Sequence, residues 1–145
     1  MNSKKINIAI VGFGNIGSNF YKTLQNNINK ISIKTGKIPF VKYISAKNLK
    51  KKRKIKIPRS KWIKNPMEVI LAKKIDILVE LVGGAEGLAK KVVFAALKNK
   101  INVITANKSL ISKYGNELAH LAQIKKVNLE YEASVAGGIP IIRSI

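Results

Sequence analysis

The stretch "IAIVGFGNIG", residues 8–17, decides the fold of this chain. Its first half is a short apolar run that ends in glycine, which is typical of a buried strand. Gly12, Gly14 and Gly17 then form the pattern G-x-G-x-x-G where the strand gives way to a helix. The first glycine permits a tight turn, the second lets a pyrophosphate approach the backbone, and the third lets the helix pack closely on the strand. The stretch therefore predicts a dinucleotide-binding turn, with phosphate groups at the helix N-terminus.

The rest of the chain alternates between extended and helical patterns. Further strands are predicted in the segments "PFVKYIS" (39–45), "IDILVELVGG" (75–84), "INVIT" (101–105) and "VNLEYEAS" (127–134). Helices are predicted after Gly17 and in the segments 64–74, 86–100 and 115–126. Strands that alternate with helices imply right-handed crossovers. The sequence therefore predicts an α/β fold: a Rossmann-like, doubly wound, mostly parallel sheet with helices on both faces.

Local signals refine two of these helices. Apolar residues at helical spacing predict the core-facing side of the first helix: Ile16, Phe20, Leu24, Ile28 and Ile31. Gly36 suits a left-handed cap at its end. In the segment 64–74, Asn65 can cap the helix N-terminus and Pro66 fits its first turn.

Composition narrows the class of protein. The 145 residues suffice for one domain with a core, and 46% of them are hydrophobic. The sequence contains no cysteine, which excludes disulfides and thiolate metal sites. The sequence contains no run of about 18 apolar residues, the length that a transmembrane helix needs, so we expect no membrane association and a cytoplasmic location.

The charge is strongly positive: 28 lysine and arginine residues against 7 acidic ones give a net charge of +21. One interpretation is binding to nucleic acid, because a basic field attracts polyanions. The other is a general compositional bias toward lysine, isoleucine and asparagine. We favour the second, because the sequence shows no recognised nucleic-acid module and no stripe of aromatic and basic residues.

The end of the second strand bears on the choice of cofactor. An acid normally stands there to hold the ribose 2′-hydroxyl of NAD, but the sequence continues as "YISAKNLKKKR" (43–53). Lys47, Lys50 and Arg53 could instead pair with a 2′-phosphate. We therefore expect NADP, with NAD possible, while a merely solvated basic loop remains the alternative.

Two later motifs follow the central strands. In "ELVGG", Glu80 is expected to accept hydrogen bonds from nearby backbone and fix the loop, because a buried carboxylate needs partners. Gly83 and Gly84 would let a ribose or nicotinamide pass close to the main chain. In "VITANKSL", Thr105, Asn107 and Lys108 follow the next strand. Lys108 could stabilise negative charge near a nicotinamide, or be an ordinary surface lysine.

Four motifs in this order carry a family resemblance: "GFGNIG", "VELVGG", "VITANKSL" and "EASVAGGIPII". Together they make the chain similar to homoserine dehydrogenases over nearly its whole length. The resemblance implies NAD(P)-linked interconversion of L-homoserine and L-aspartate 4-semialdehyde by hydride transfer, on the route to threonine, methionine and isoleucine. It also implies a homodimeric enzyme that carries an amino-acid substrate on a second domain.

The resemblance assigns site residues by motif. It implies that the nucleotide is bound at Phe13, Gly14, Asn15 and Ile16, that the nicotinamide lies near Gly83, Thr105 and Lys108, and that Lys108 takes part in catalysis. A monovalent cation such as sodium is implied at Glu132, Val135, Gly137 and Ile139, largely through main-chain oxygens. By the same resemblance, residues 1–133 are the dinucleotide-binding domain. Residues 134–145 would begin the crossover into a substrate domain that this chain lacks, so the chain alone is expected to bind cofactor without turnover.

Two other functional classes stay open. A regulatory module could use the same glycine turn to sense NAD(P)H without chemistry, and would not need Lys108. A basic nucleic-acid-binding protein would retain DNA in a strongly salt-dependent way.

Overall fold

The computed structural model describes residues 4–49, 51 and 53–131, in which strands and helices alternate. The strands are β1 (Lys4–Val11), β2 (Lys37–Ser45), β3 (Ile77–Glu80), β4 (Asn102–Thr105) and β5 (Leu129–Glu130). The helices are α1 (Asn15–Thr35), α2 (Pro66–Leu71), α3 (Leu88–Lys98) and α4 (Lys108–Lys125). A 3₁₀ turn, Arg59–Lys61, lies between β2 and α2.

All five strands pair in parallel, in the order β2-β1-β3-β4-β5. This confirms the predicted α/β, doubly wound fold. Pro39, which has no N–H to donate, is tolerated because β2 is an edge strand. The register places Val11, Glu80 and Thr105 in one row across β1, β3 and β4. The carboxyl ends of three strands therefore meet at one edge, where ligands bind in sheets of this kind.

The core lies on both faces of the sheet because successive residues of β1 point to opposite sides. Ala9 and Val11 pack with residues of α2, α3 and α4, including Val92 and Leu118. Ile8 and Ile10 belong to the opposite cluster, which α1 covers. Helix α1 on one face and α2, α3 and α4 on the other therefore enclose β1, the strand that leads into the glycine turn.

The predicted core face of α1 was partly wrong. Ile16 is 63% exposed, whereas Tyr21 is buried in the cluster that α1 covers. The reason is the contact of Gly17 with the glycine turn, which fixes the rotation of the helix and directs Ile16 to solvent. The end of α1 was predicted correctly: Gly36 adopts a left-handed conformation with φ of 67°.

Several boundaries also differ from the prediction. The Asn65 cap of α2 is confirmed, because its side chain accepts from the Met67 N–H. By contrast, α4 begins at Lys108, well before the predicted start at Gly115. The strand β3 ends at Glu80 rather than continuing into the glycine pair, and α3 starts only at Leu88. The segment between them is therefore a loop at the carboxyl edge of the sheet.

Some predictions fall on residues that are not described. These are the cation ligands Glu132, Val135, Gly137 and Ile139, the domain boundary at 133/134, and Lys50 of the basic loop; they stay predictions. Within the described ranges, no helix combines the length and apolarity needed to cross a membrane.

Candidate functional site

The turn after β1 depends on glycine at position 12. Gly12 has φ of 99°, and a Cβ there would lie 2.5 Å from the carbonyl carbon of Leu81. Its N–H donates to the Ser45 carbonyl oxygen at 3.0 Å. The turn is thus held between the end of β2 and the residue that follows β3, so no larger residue fits without moving backbone.

The N-terminus of α1 is open toward solvent. Its capping residue, Gly14, has no side chain to satisfy the first N–H groups, and the first turn contains no acidic residue. A Cβ at Gly14 would meet nothing within 4 Å. An anion can therefore approach the backbone here, where the free N–H groups and the positive end of the helix dipole favour phosphate. These residues fit the pyrophosphate of a dinucleotide.

Phe13 and Ile16 take opposite positions in this turn. The Phe13 ring is 3% exposed and packs edge-on against Tyr21 and Trp62, with ring centroids 6.0 and 5.5 Å apart. Its side chain therefore belongs to the core and is not available to a ligand. The side chains of Ile16 and Asn15 are exposed beside the open helix end.

A cleft of about 600 Å³ adjoins the turn. Its lining comes from the turn, the end of β2, the basic loop, the segment before α2, the loop after β3 and the start of α3: Val11, Gly12, Phe13, Gly14, Ser45, Ala46, Lys47, Asn48, Lys51, Arg53, Lys64, Val82 and Leu88. Four of these are lysine or arginine and none is acidic. The cleft is therefore electropositive near the end of β2, where NAD-binding domains usually have an acidic residue.

Arg53 organises the basic loop. Its guanidinium donates to the carbonyl oxygens of Asn48 at 2.7 Å and Lys51 at 2.9 Å, and its Nε donates to that of Phe13 at 3.3 Å. It also stacks 4.8 Å from the Trp62 ring centroid. The sequence suggested Arg53 as a phosphate ligand, but its guanidinium mainly binds carbonyl oxygens of the basic loop itself, and its Nε joins that loop to the glycine turn. Lys47 is exposed and lines the cleft.

Glu80 is fully buried at the end of β3. It accepts from the Val82 N–H at 2.6 Å and from the Thr105 hydroxyl at 2.5 Å, so the predicted role in fixing the loop is confirmed. Burial raises the pKa of the Glu80 carboxyl, while these hydrogen bonds act in the opposite direction. The Thr105 side chain is equally buried, so its hydroxyl serves this network.

Asn107 connects the loop after β3 to the N-terminus of α4. Its Oδ1 accepts from the Leu110 N–H at 3.0 Å and so caps α4. Its Nδ2 donates to the carbonyl oxygens of Val82 at 2.8 Å and Gly84 at 2.6 Å. The sequence placed Asn107 at the strand end but gave no sign of these partners, which are more than 20 residues away along the chain.

Lys108 is the first residue of α4 and its side chain is exposed. Gly83 and Gly84 are exposed too, and a Cβ at either would meet nothing within 4 Å. The structure thus brings the ends of β3 and β4 together and leaves their glycines and Lys108 accessible. A ligand contact by Gly83, Thr105 or Lys108 remains a prediction.

The loop after β3 makes a second interaction that the sequence did not predict. Glu86 pairs with Lys113 at 2.6 Å, and the Tyr114 hydroxyl also donates to its carboxylate. These two contacts lower the pKa of Glu86 to about 2. The loop between β3 and α3 is therefore attached to α4 at a second point, beyond the Asn107 contacts.

The combination of glycine turn, open helix end and parallel strand ends defines a dinucleotide-binding domain of the Rossmann type. Residues 12–132 match the family model described as "Homoserine dehydrogenase, NAD binding domain". The chain belongs to this family and is built to bind a nicotinamide cofactor.

Relatives of known name agree with this assignment. The homoserine dehydrogenase of Neisseria gonorrhoeae is 37% identical over 142 residues, which are 98% of this chain and 32% of that protein. A crystal structure of S. aureus homoserine dehydrogenase superposes with a TM-score of 0.86 at 36% identity, covering 94% of this chain and 34% of that one. A hyperthermophilic archaeal homoserine dehydrogenase in complex with NADPH gives 0.72 at 26% identity, covering 95% and 47%. The chain spans about a third of the length of the curated relatives it matches.

Proposed function

We propose that this chain binds NADP(H) along the carboxyl edge of its sheet as the cofactor-binding part of a homoserine dehydrogenase. One observation carries the proposal: the uncapped start of α1 opens beside a cleft that is lined by basic and no acidic side chains. Phosphates would lie at Gly14 and Asn15, and the 2′-phosphate near Lys47 and Lys51. The archaeal relative solved with NADPH supports this choice of cofactor.

For the protein as a whole, we propose the interconversion of L-homoserine and L-aspartate 4-semialdehyde. The nicotinamide would supply or accept the hydride. The role of this chain's residues is to orient the ring beside the loop after β3 and to place the Lys108 ammonium where negative charge develops on the substrate oxygen. The sodium site at Glu132, Val135, Gly137 and Ile139, and the homodimer, belong to the same proposal.

The test is a binding titration of the purified 145-residue chain with NADPH and NADH. Trp62 is the sole tryptophan and contacts Phe13 of the glycine turn, so its fluorescence should change on binding. We expect both cofactors to bind and NADPH to bind more tightly. Tighter binding of NADH would contradict the preference for NADP. If neither cofactor binds by calorimetry, the proposed function is wrong; retention on DNA under the same salt conditions would then favour the nucleic-acid alternative.

A further inference from the structure

The glycine pair of the loop after β3 has no side chains to pack. Gly83 and Gly84 are exposed, Gly84 has φ of 88°, and no atom lies within 4 Å of a Cβ built on either. A loop without buried side chains is held by its hydrogen bonds, and without them would sample many conformations. The conformation of the glycine pair, which lies between the packed Val82 and the anchored Glu86, therefore depends on the groups that bind the main chain there.

Asn107 supplies two of those hydrogen bonds from the next strand end. Its Nδ2 reaches the carbonyl oxygens of Val82 and Gly84, while its Oδ1 caps the first turn of α4. The side chain is only 5% exposed, so water does not readily replace these contacts. One amide group thus connects the glycine loop to the helix that begins with Lys108.

Glu80 and Thr105 support Asn107 and the glycine loop through further hydrogen bonds. Glu80 binds the Val82 N–H and the Thr105 hydroxyl, and the Thr105 Oγ1 accepts from the Asn107 N–H at 3.1 Å. The network contains three fully or almost fully buried side chains, and none of the buried side-chain polar atoms described lacks a partner. The loop and the start of α4 are therefore fixed to both β3 and β4.

We propose that Asn107 is a positioning residue: it makes the Val82–Gly84 loop and the first turn of α4 one preformed surface for the nicotinamide half of the cofactor. This inference rests on the proposed function. Asn107 need not touch the cofactor, because it acts through the two carbonyl groups it holds and through the placement of Lys108. The adenosine half lies at the other end of the cleft, near Lys47, and does not depend on Asn107.

The test compares two probes that differ only in the nicotinamide ring, NADPH and 2′-phospho-ADP-ribose. In Asn107→Ser the hydroxyl still caps α4, but the donor to the loop is lost. We expect NADPH to bind about tenfold more weakly, as for loss of one or two buried hydrogen bonds. Binding of 2′-phospho-ADP-ribose should stay within about twofold. Asn65→Ser, which makes the same cap exchange at α2, is the matched control and should change neither affinity.

The outcomes separate the inference from the proposed function. If the unsubstituted chain binds neither probe, the proposed function fails. If it binds both equally well, or if Asn107→Ser weakens both equally or neither, the positioning role is overturned. Should Asn107→Ser not fold, Asn107→Thr keeps a capping hydroxyl and fills more of the space of the amide, but lacks the Nδ2 donor to the two carbonyl oxygens. It should show the same selective loss of NADPH binding, and equal losses for both probes would again overturn the proposal.

Discussion

Gly17 lies directly against Gly12: a Cβ on Gly17 would come within 2.3 Å of the Gly12 carbonyl oxygen. This contact brings the first turn of α1 onto the strand end and directs its N–H groups past Gly14. The three glycines thus have different physical roles. Gly12 and Gly17 are needed for packing of the protein itself, whereas Gly14 keeps space open for a ligand.

Substitutions should separate these roles. Gly17→Ala forces backbone atoms apart and should lower the free energy of unfolding by about 1–3 kcal/mol, despite the better helix propensity of alanine. Gly14→Ala meets open space and should change stability by less than about 1 kcal/mol, but its methyl group should weaken NADPH binding. Urea unfolding and NADPH titration of both variants test this. Equal stability losses would contradict the assignment.

The proposed 2′-phosphate site predicts an effect of charge reversal at Lys47. Lys47→Glu should weaken NADPH binding roughly tenfold, because repulsion replaces a partly solvated attraction. NADH, which lacks the phosphate, should bind nearly as before. Lys98→Glu makes the same charge change at the end of α3 and serves as the control. A similar loss of affinity for both cofactors in Lys47→Glu would show that Lys47 does not bind the 2′-phosphate.

The buried Glu80 predicts a pH-dependent difference in stability. Burial raises its pKa above the ordinary value of 4.5, so the folded protein holds the proton more tightly than the unfolded chain does. Its contribution is therefore fully present below pH 4.5 and is lost as the pH rises through the folded pKa. Relative to Glu80→Gln, which does not titrate there, the unsubstituted chain should lose unfolding free energy from pH 4 toward pH 8. Urea unfolding across this range measures it, and a constant difference would refute the raised pKa.

Replacing Lys108 with an uncharged residue should stabilise the protein. A positive charge at the first residue of α4 opposes the helix dipole, so Lys108→Ala should raise the free energy of unfolding by about 0.3–1 kcal/mol. Lys125→Ala, in the last turn of the same helix, should lower it by a similar amount. Thermal unfolding of the pair measures both effects.

We also expect the substitution of Lys108 to lower catalytic turnover. On the proposed function, homoserine-dependent NADPH formation by a protein that also contains a substrate domain should fall by roughly 10²–10³-fold in Lys108→Ala. Unchanged turnover would exclude a catalytic role and leave Lys108 as a surface residue.

Much of the fold was readable from local patterns. The G-x-G-x-x-G turn, the Gly36 cap and the alternation of strands with helices depend on residues close together along the chain. The apolar run around Glu80 showed that its carboxylate would be buried and would need hydrogen-bond donors. Such features follow from backbone sterics and side-chain period, which neighbours along the chain largely set.

Other features required the assembled sheet. The rotation that exposes Ile16 results from the contact of Gly17 with Gly12, and the early start of α4 results from the cap by Asn107. The tie from Asn107 to Val82 and Gly84, and the pair of Glu86 with Lys113, join residues far apart along the chain.

The sequence by itself determined the class of fold, the cofactor turn and the family, because these rest on glycine geometry and on motifs read in order. Only the tertiary structure decided which donor meets which acceptor at the carboxyl edge. The physical reason is the parallel register, which aligns Glu80 of β3 with Thr105 of β4 and thereby sets Asn107 against the glycine loop. That alignment depends on helices packing across both faces of the sheet, which no single segment specifies.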